Sequence, residues 1–115
     1  MEKFLLIVRA DLERLQKMKE SERYADWPDM IPWVKSLTAS GNYITGAPLT
    51  IAGKHVAKGK VLSDGPFIES KEGVLGFDII LAKSFDDAVA MAMTCPMVKG
   101  GFASREVRQI AALTR

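Results

Sequence analysis

Two short segments of the chain are apolar on both faces, and they constrain the fold more than any other feature. These segments are residues 4–8 and residues 74–82. Successive side chains of a β-strand point to opposite faces of its sheet, so both segments are predicted to be strands that need cover on two sides. Two or three helices can cover only one face of a sheet. We therefore expect a second copy of the chain to cover the other face, as a homodimer formed through the sheets.

Helix caps, turns and hydrophobic periodicity predict the remaining elements. Asp29 can cap a helix that Gly41 ends, and Ser84 can cap a further helix that stops before Pro96. The glycine between two lysines at residues 58–60 indicates a hairpin. We expect helices over residues 11–24 and 30–40 and between Ser84 and Pro96, and strands over residues 3–9, 43–51, 55–57, 60–62, 73–82 and 102–110.

The predicted order is strand, helix, strand, hairpin, strand, helix, strand. This order is typical of an α+β fold of the ferredoxin-like class, an antiparallel sheet with helices on one face. The chain has 115 residues, of which 48% are hydrophobic, so we expect one domain over residues 1–115 with its own core. In the longest strand, alternation groups Leu75, Phe77, Ile79 and Leu81 on one face, opposite Ile80 and Ala82.

The composition argues against several classes of function. Cys95 and His55 are the only cysteine and histidine, so no intrachain disulfide can form and a His/Cys zinc site within one chain is not expected. Sixteen Lys and Arg residues stand against 14 Asp and Glu residues without a basic stripe, so we expect no nucleic-acid partner. No apolar run is long enough for a signal peptide or a membrane helix, so we expect a cytoplasmic protein with no membrane segment. We also expect no metal and no cofactor.

Residues 64–72 read Asp-Gly-Pro-Phe-Ile-Glu-Ser-Lys-Glu. This motif resembles the signature of the YCII-related proteins, in the branch named after the Asp-Gly-Pro-Phe sequence. The resemblance implies a ferredoxin-like fold that dimerises through its sheets into an α/β barrel, in agreement with the homodimer expected above. Later parts of the chain extend the resemblance: Gly76-Phe77, Phe85-Asp-Asp-Ala88, Cys95-Pro96 and Glu106-Val107-Arg108.

The functional implication of the resemblance is narrower. Some relatives in another branch are assigned a His–Asp pair, and one resembles a dehydrochlorinase of chlorinated aromatic compounds. Here the first long helix has no histidine, and Cys95 stands where the acid would precede the helix-ending proline. This chain therefore lacks the His–Asp pair, and the resemblance does not predict dehydrochlorinase activity for it. Some members of the Asp-Gly-Pro-Phe branch accompany or are fused to sigma factors, so the resemblance also leaves a regulatory role open.

The motif itself supplies a candidate site. Asp64, Glu69 and Glu72 are candidates for a general base, and Lys71 with Arg108 can hold an anionic substrate. The structural alternative is that Asp64 bonds turn amides, Phe67 fills the core and the other charges pair locally. We predict one polar cluster rather than separate solvated charges. The predicted ligand-binding residues are Asp64, Phe67, Glu69, Lys71, Glu72 and Arg108.

Other chemistry-bearing residues favour a structural interpretation. Alternation places Arg105 on the face opposite its charged neighbours, and we interpret the charged terminal strand as protection of a sheet edge against aggregation. His55 is expected to be solvated in its hairpin, and Cys95 to be a small buried residue. Trp27 and Trp33 are expected in the core or the dimer interface, with the roof of an apolar pocket as the alternative.

Two functions remain open from the sequence. The first is a small dimeric protein that binds a small organic anion or aromatic molecule near the 64–72 loop, with acid–base chemistry as an extension. The second is a non-catalytic regulatory or protein-interaction module of the sigma-factor-associated type. A ligand pocket rimmed by the motif residues favours the first, and a side-chain-filled interior with an exposed apolar patch elsewhere favours the second.

Overall fold

A four-stranded antiparallel sheet is the main element of the computed structural model, which describes residues 1–63 and 72–113. In chain order the elements are β1 (Glu2–Asp11), α1 (Leu12–Lys17), α2 (Glu20–Arg23), α3 (Trp27–Ala39), β2 (Tyr43–Pro48), β3 (Lys54–Ala57), β4 (Lys60–Ser63), β5 (Glu72–Ala82), α4 (Phe85–Met93), α5 (Pro96–Lys99) and β6 (Ser104–Gln109). The strand order in the sheet is β2-β5-β1-β6, and β3 with β4 forms a separate hairpin. The predicted α+β, ferredoxin-like architecture is confirmed.

The core lies between the sheet and the helices. Alternation in β1 sends Phe4, Leu6 and Val8 to this side, where they are at most 4% exposed. Leu5 and Ile7, on the other face of the same strand, are only partly buried. The helices thus cover one face of the sheet, as predicted. Their contributions to the core include Met30, Trp33, Leu37, Ala88, Ala92 and Met97.

A β-bulge interrupts β5. Gly76 and Val74 pair with consecutive residues of β1, so Leu75 is an extra residue between them. Leu75 is 2% exposed and belongs to the core cluster. The prediction that Leu75 shares a face with Phe77 was wrong, because the bulge breaks the alternation on which that prediction depended.

Two short helices replace the single helix predicted over residues 11–24. The Asp11 side chain accepts a hydrogen bond from the Arg14 main-chain nitrogen at 3.0 Å and caps α1. Met18 has an extended backbone and ends α1 after six residues. The prediction of one continuous helix was wrong because only Leu12 and Leu15 are buried along α1, and a helix with so little packing is marginal.

Helix α3 begins earlier than the sequence pattern predicts. It starts at Trp27 rather than at Met30, since Pro28 fits the first turn of a helix. The prediction that Asp29 caps this helix was therefore wrong, and Asp29 lies inside the first turn. Gly41 follows the end of the helix with φ of 77°, in the left-handed region that favours glycine, as predicted.

Helix α4 has the predicted cap. The Ser84 hydroxyl accepts a hydrogen bond from the Asp87 main-chain nitrogen at 3.1 Å. Ala88 and Ala92 are buried against the sheet, whereas Phe85, Val89 and Met93 are 46%, 37% and 65% exposed. Within the described ranges, no helix has the length and apolar character needed to cross a membrane.

Candidate functional site

A buried ion pair joins two strands on the side of the sheet that the helices cover. Nη1 of Arg105 lies 2.8 Å from Oδ2 of Asp78, and the two side chains are 2% and 9% exposed. Oδ1 of Asp78 accepts a second bond from the Tyr43 hydroxyl at 2.6 Å. Arg105 also donates to the main-chain oxygen of Leu6 at 3.2 Å, and its Nη2 lies 3.4 Å from Sγ of Cys95. Strands β2, β5 and β6 therefore converge on one guanidinium–carboxylate pair.

Strand register explains why these side chains meet. Asp78 lies opposite Leu6, and Arg105 lies opposite Val8, so both share the core face of β1. Gly46 of β2 lies opposite Asp78 on the other side. A Cβ atom at Gly46 would overlap Oδ1 of Asp78 and the tyrosine hydroxyl, so a glycine is required for β2 to come this close.

The tyrosine in this site stays protonated. Burial raises the pKa of Tyr43 above its usual range, and the hydrogen bond to Asp78 raises it further. The charge of Arg105 lowers the pKa of Tyr43 by a smaller amount. Tyr43 is therefore a hydrogen-bond donor at any physiological pH. Since both oxygens of Asp78 are engaged, this carboxylate holds the guanidinium and the hydroxyl in place.

One donor of the ion pair lacks a partner. Nε of Arg105 is buried and makes no hydrogen bond to any atom in the described part of the chain. The guanidinium carbon lies 5.3 Å from the ring centroid of Trp33, whose own N–H donates to Oγ1 of Thr94 at 2.8 Å. Leaving a buried donor unpaired costs about 1–3 kcal/mol. The arrangement thus favours an acceptor atom that can reach Nε.

A small cavity adjoins the ion pair. Asp78 and Arg105 line it together with Trp27 and Met30, and its volume of about 10 Å³ suits a single water molecule. Trp27 and Met30 also line an open groove of about 500 Å³ between α3 and β2. These two side chains therefore separate the buried pair from the groove. The remaining cavity walls include Val8, Tyr24, Leu75 and Met97.

The family of the chain follows from a comparison with family models. The model of the YCII-related domain matches residues 3–111. The chain belongs to the YCII-related domain family. This match extends on both sides of the motif at residues 64–72, and it confirms the resemblance that the motif indicated.

Two known proteins are similar to this YCII-related chain. An uncharacterized protein from Rhizobium meliloti (strain 1021) is 38% identical over 58 residues, which cover 50% of this chain and about half, 47%, of that relative. A solved structure aligns over 94% of this chain and 93% of the chain in that structure, with a TM-score of 0.54 and 19% sequence identity. It is the 5-chloro-2-hydroxyhydroquinone dehydrochlorinase (TftG) from Burkholderia phenoliruptrix AC1100, in complex with 2,5-dihydroxybenzoquinone. At this identity the likeness shows the fold alone.

The ligand-binding residues predicted from the YCII-related motif lie mostly outside the described residues. Glu72 opens β5, where its backbone pairs with Asp11. Arg108 lies on β6 with its side chain 71% exposed, and its Nε is 3.9 Å from Oε2 of Glu106. Oε1 of Glu106 in turn lies 2.8 Å from Nε of Arg9. The predicted polar cluster stays a prediction, because Asp64, Phe67, Glu69 and Lys71 lie outside the described residues.

The remaining sequence predictions have mixed outcomes. Cys95 is fully buried and Trp33 is in the core, as predicted, and His55 is exposed on β3. Trp27 lines the cavity rather than the core. The interpretation of Arg105 as protection of a sheet edge was wrong, because its side chain is buried in an ion pair. In residues 1–63 and 72–113, no group of three His, Cys, Asp or Glu residues is placed to hold a metal ion.

Sequence reasoning missed Asp78. The signal was a single carboxylate in the most apolar strand of the chain, on the face that it shares with Ile80 and Ala82. A carboxylate on a buried face requires a cationic or hydrogen-bonding partner. Arg105, which alternation had placed opposite its neighbours on β6, was the available cation.

Proposed function

We propose that this YCII-related protein binds a small organic molecule, an anion or an oxygen-bearing aromatic, between α3 and the sheet, with Arg105 as the anchor. The observation that carries the proposal is the buried, unpartnered Nε of Arg105 beside a cavity. Asp78 neutralises much of the guanidinium charge. A ligand therefore needs an acceptor oxygen for Nε of Arg105 more than it needs a full negative charge.

The walls of the site suit a planar, largely apolar ligand. Trp27, Tyr24 and Met30 surround the cavity, and aromatic rings and thioethers pack well against flat rings. The cavity has room for one water molecule only, so a ligand must displace side chains to enter. Trp27 is 38% exposed and lines both the cavity and the groove. A ligand that enters from the groove would therefore have to displace the Trp27 side chain.

We favour binding over acid–base catalysis at this pair. Asp78 accepts from Arg105 and from Tyr43, so a ligand would have to compete with both donors for this carboxylate. Tyr43 holds its proton too strongly for a general base. Acid–base chemistry by Asp64 or Glu69 of the motif, with Lys71 and Arg108 as the anion clamp, remains a separate proposal.

A similar fold supports the proposed ligand class. The TftG structure contains 2,5-dihydroxybenzoquinone, a planar ring with several oxygen atoms. Such a molecule combines the flat apolar surface and the acceptor oxygens that the site between α3 and the sheet would recognise. We therefore choose 2,5-dihydroxybenzoquinone and benzoate as probes.

The test is a titration of each probe into the protein with the melting temperature as readout. A ligand at about 100 times its Kd stabilises the native state by about 2.7 kcal/mol, which is a measurable shift. Arg105→Lys keeps a cation beside Asp78 and removes the Nε donor, so it is expected to abolish the shift. Arg14→Lys, at an exposed residue of α1 that does not line the cavity, is the matched control and is expected to keep it. No shift with either probe, or an equal shift in Arg105→Lys, would contradict the proposal.

The open face of the sheet supports a second proposal, self-association. Leu5, Ile7, Phe77 and Ile79 lie on the face that the helices in residues 1–63 and 72–113 leave open, and each is only partly buried. A contiguous apolar face of this kind is typical of an interface. We propose that two copies pack through this face into a dimer, which serves either the ligand-binding role or the alternative regulatory role of a protein-interaction module.

A further inference from the structure

The groove between α3 and β2 carries one charged side chain among the lining residues that the structure describes, that of Lys35. Trp27 and Ile31 lie eight and four positions before Lys35, so the three side chains follow one face of α3. At the helical rise per residue, Lys35 lies about 12 Å along the helix axis from Trp27. Trp27 lines both the groove and the cavity beside Arg105, whereas Lys35 lines the groove alone. The positive charge of the groove thus lies at the end remote from the buried ion pair.

The ammonium group of Lys35 is available to a ligand. It is exposed and makes no ion pair within residues 1–63 and 72–113. Side chains three and four positions away are its neighbours on the helix surface, and none of them is acidic: Ile31, Pro32, Thr38 and Ala39. A cation at the end of a groove with apolar walls is therefore open to an anionic group of a bound molecule.

The groove adjoins the ion pair through β2. Tyr43 and Gly46 line the groove, and the Tyr43 hydroxyl donates to Oδ1 of Asp78 at 2.6 Å. Gly46 lies so close to the same oxygen that a Cβ atom there would overlap it. Asp78 pairs with Arg105, whose buried Nε has no acceptor in the described part of the chain. A molecule that follows the groove inward from Lys35 therefore approaches an unpaired buried donor.

We propose that the ligand is an elongated aromatic acid, with an oxygen-bearing ring at Nε of Arg105 and an apolar chain along the groove that ends in a carboxylate at Lys35. This inference rests on the ligand site proposed above at Arg105. Asp78 neutralises the guanidinium, so the charge of the ligand is recognised by Lys35 instead. Ile31 and Ile44, which are 49% and 43% exposed, supply apolar walls for the chain. The groove volume of about 500 Å³ is within the usual range for small-molecule sites.

A matched pair of probes tests the position of the carboxylate. These are ω-(para-hydroxyphenyl)octanoate and its primary amide, which keeps the ring and the chain but has no charge. Calorimetric titration of the wild type is expected to give a Kd for the acid about twofold to fivefold lower than for the amide, the size typical of an exposed ion pair. Lys35→Met is expected to remove this preference, and Lys35→Arg to restore it. Lys99→Met, at an exposed lysine on α5 that does not line the groove, is the matched control and should leave the preference unchanged.

The chain length of the probe gives a second readout. The compound para-hydroxyphenylacetate has the same ring and carboxylate on a short chain, so it cannot reach from the cavity to Lys35. Its Kd is therefore expected to be the same in the wild type and in Lys35→Met. The preference for the octanoate over its amide should also decrease as salt is added, because salt screens a charge pair at the surface.

The possible failures are distinguishable. Equal affinity for the acid and the amide, or an unchanged preference in Lys35→Met, would overturn this inference, while Arg105-dependent binding of 2,5-dihydroxybenzoquinone would keep the proposed function. If the acid depends on Lys35 but binds Arg105→Lys as tightly as the wild type, the groove holds the acid alone and the two-ended ligand is wrong. Absence of binding by every probe would contradict both the proposed function and this inference.

Discussion

Arg105 and Asp78 form an ion pair at 2.8 Å although one lies on β6 and the other on β5, with the whole of β1 between them. The pair spans β1 on the core face, and the main-chain oxygen of Leu6, at the centre of that strand, accepts from the same guanidinium. A contact across an intervening strand needs a long side chain, and arginine supplies it. The pair thus ties three strands together at the point where we propose that a ligand binds.

Removing one partner of this pair is expected to be costly. Asp78→Asn leaves a buried guanidinium without its counter-charge, and breaking a buried pair in this way costs about 3–5 kcal/mol. Urea unfolding followed by circular dichroism measures the loss. Glu106→Gln is the control, since its pair with Arg9 is about one-third exposed and such pairs contribute about 0–1 kcal/mol. An equal decrease in the free energy of unfolding in the two variants would show that the buried pair of Asp78 stabilises the fold no more than an exposed pair does.

Tyr43→Phe is expected to lower stability by about 1–3 kcal/mol at neutral pH, because Oδ1 of Asp78 loses a buried donor. Burial and Asp78 raise the pKa of Tyr43 in the folded state, so its contribution is fully present below the unfolded pKa of about 10 and is lost as pH rises through the folded pKa. The wild type is therefore expected to lose more stability than Tyr43→Phe above about pH 10. Parallel curves of unfolding free energy against pH would contradict this.

A charge on the open face of the sheet is expected to dissociate the proposed dimer. Ile79→Glu places a carboxylate in the centre of the proposed apolar interface, where its desolvation is unfavourable. Light scattering is expected to give twice 12.6 kDa for the wild type and 12.6 kDa for the variant. Val89→Glu, on an exposed position of α4, should leave the dimer intact. A wild type that is monomeric at micromolar concentration would contradict the sheet-face dimer.

The motif makes a prediction that separates a binding role from a structural one. If Lys71 and Arg108 hold an anion, then Lys71→Ala and Arg108→Ala should weaken anion binding with little change in stability. If they belong to a structural cluster, the same changes should lower stability by about 1–3 kcal/mol without an effect on binding. Calorimetric titration with benzoate and urea unfolding of the same variants distinguish the two. No effect in either measurement would mean that the two side chains are separately solvated.

The sequence predicted the fold because its signals were local and repeated. The cap at Ser84 and the glycine after α3 each depend on a few neighbouring residues, and both are present as expected. The start of α3 was misplaced because the pattern of apolar residues begins at Met30, whereas the helix is set by Pro28 and Trp27. The break at Met18 was missed because nothing local forbids a helix there, and only the lack of packing ends it.

The candidate site was harder to predict because it is built from distant residues. Tyr43, Asp78 and Arg105 lie on three strands, and their meeting depends on sheet order and register. Sequence reasoning placed Arg105 on the correct face but gave it an exposed role. Pairing it with Asp78 required the rule that a carboxylate on a buried face must have a partner, applied to two strands that flank a third.

The bulge at Leu75 also sets how α1 lies on the sheet. If Leu75 paired with Arg9 in a regular ladder, Val74 would lie opposite Ala10, on the core face, in place of Gly73. A Cβ atom at Gly73 would already lie 3.1 Å and 3.2 Å from the terminal carbons of Leu12 and Leu15, so a valine there would push the helix away from the sheet. β5 thus contains one residue more than the segment of β1 with which it pairs. Deletion of Leu75 would remove the bulge and keep Gly73 and Val74 on their present faces. Regular pairing with Leu75 retained would instead turn Val74 toward α1 and displace that helix from the sheet.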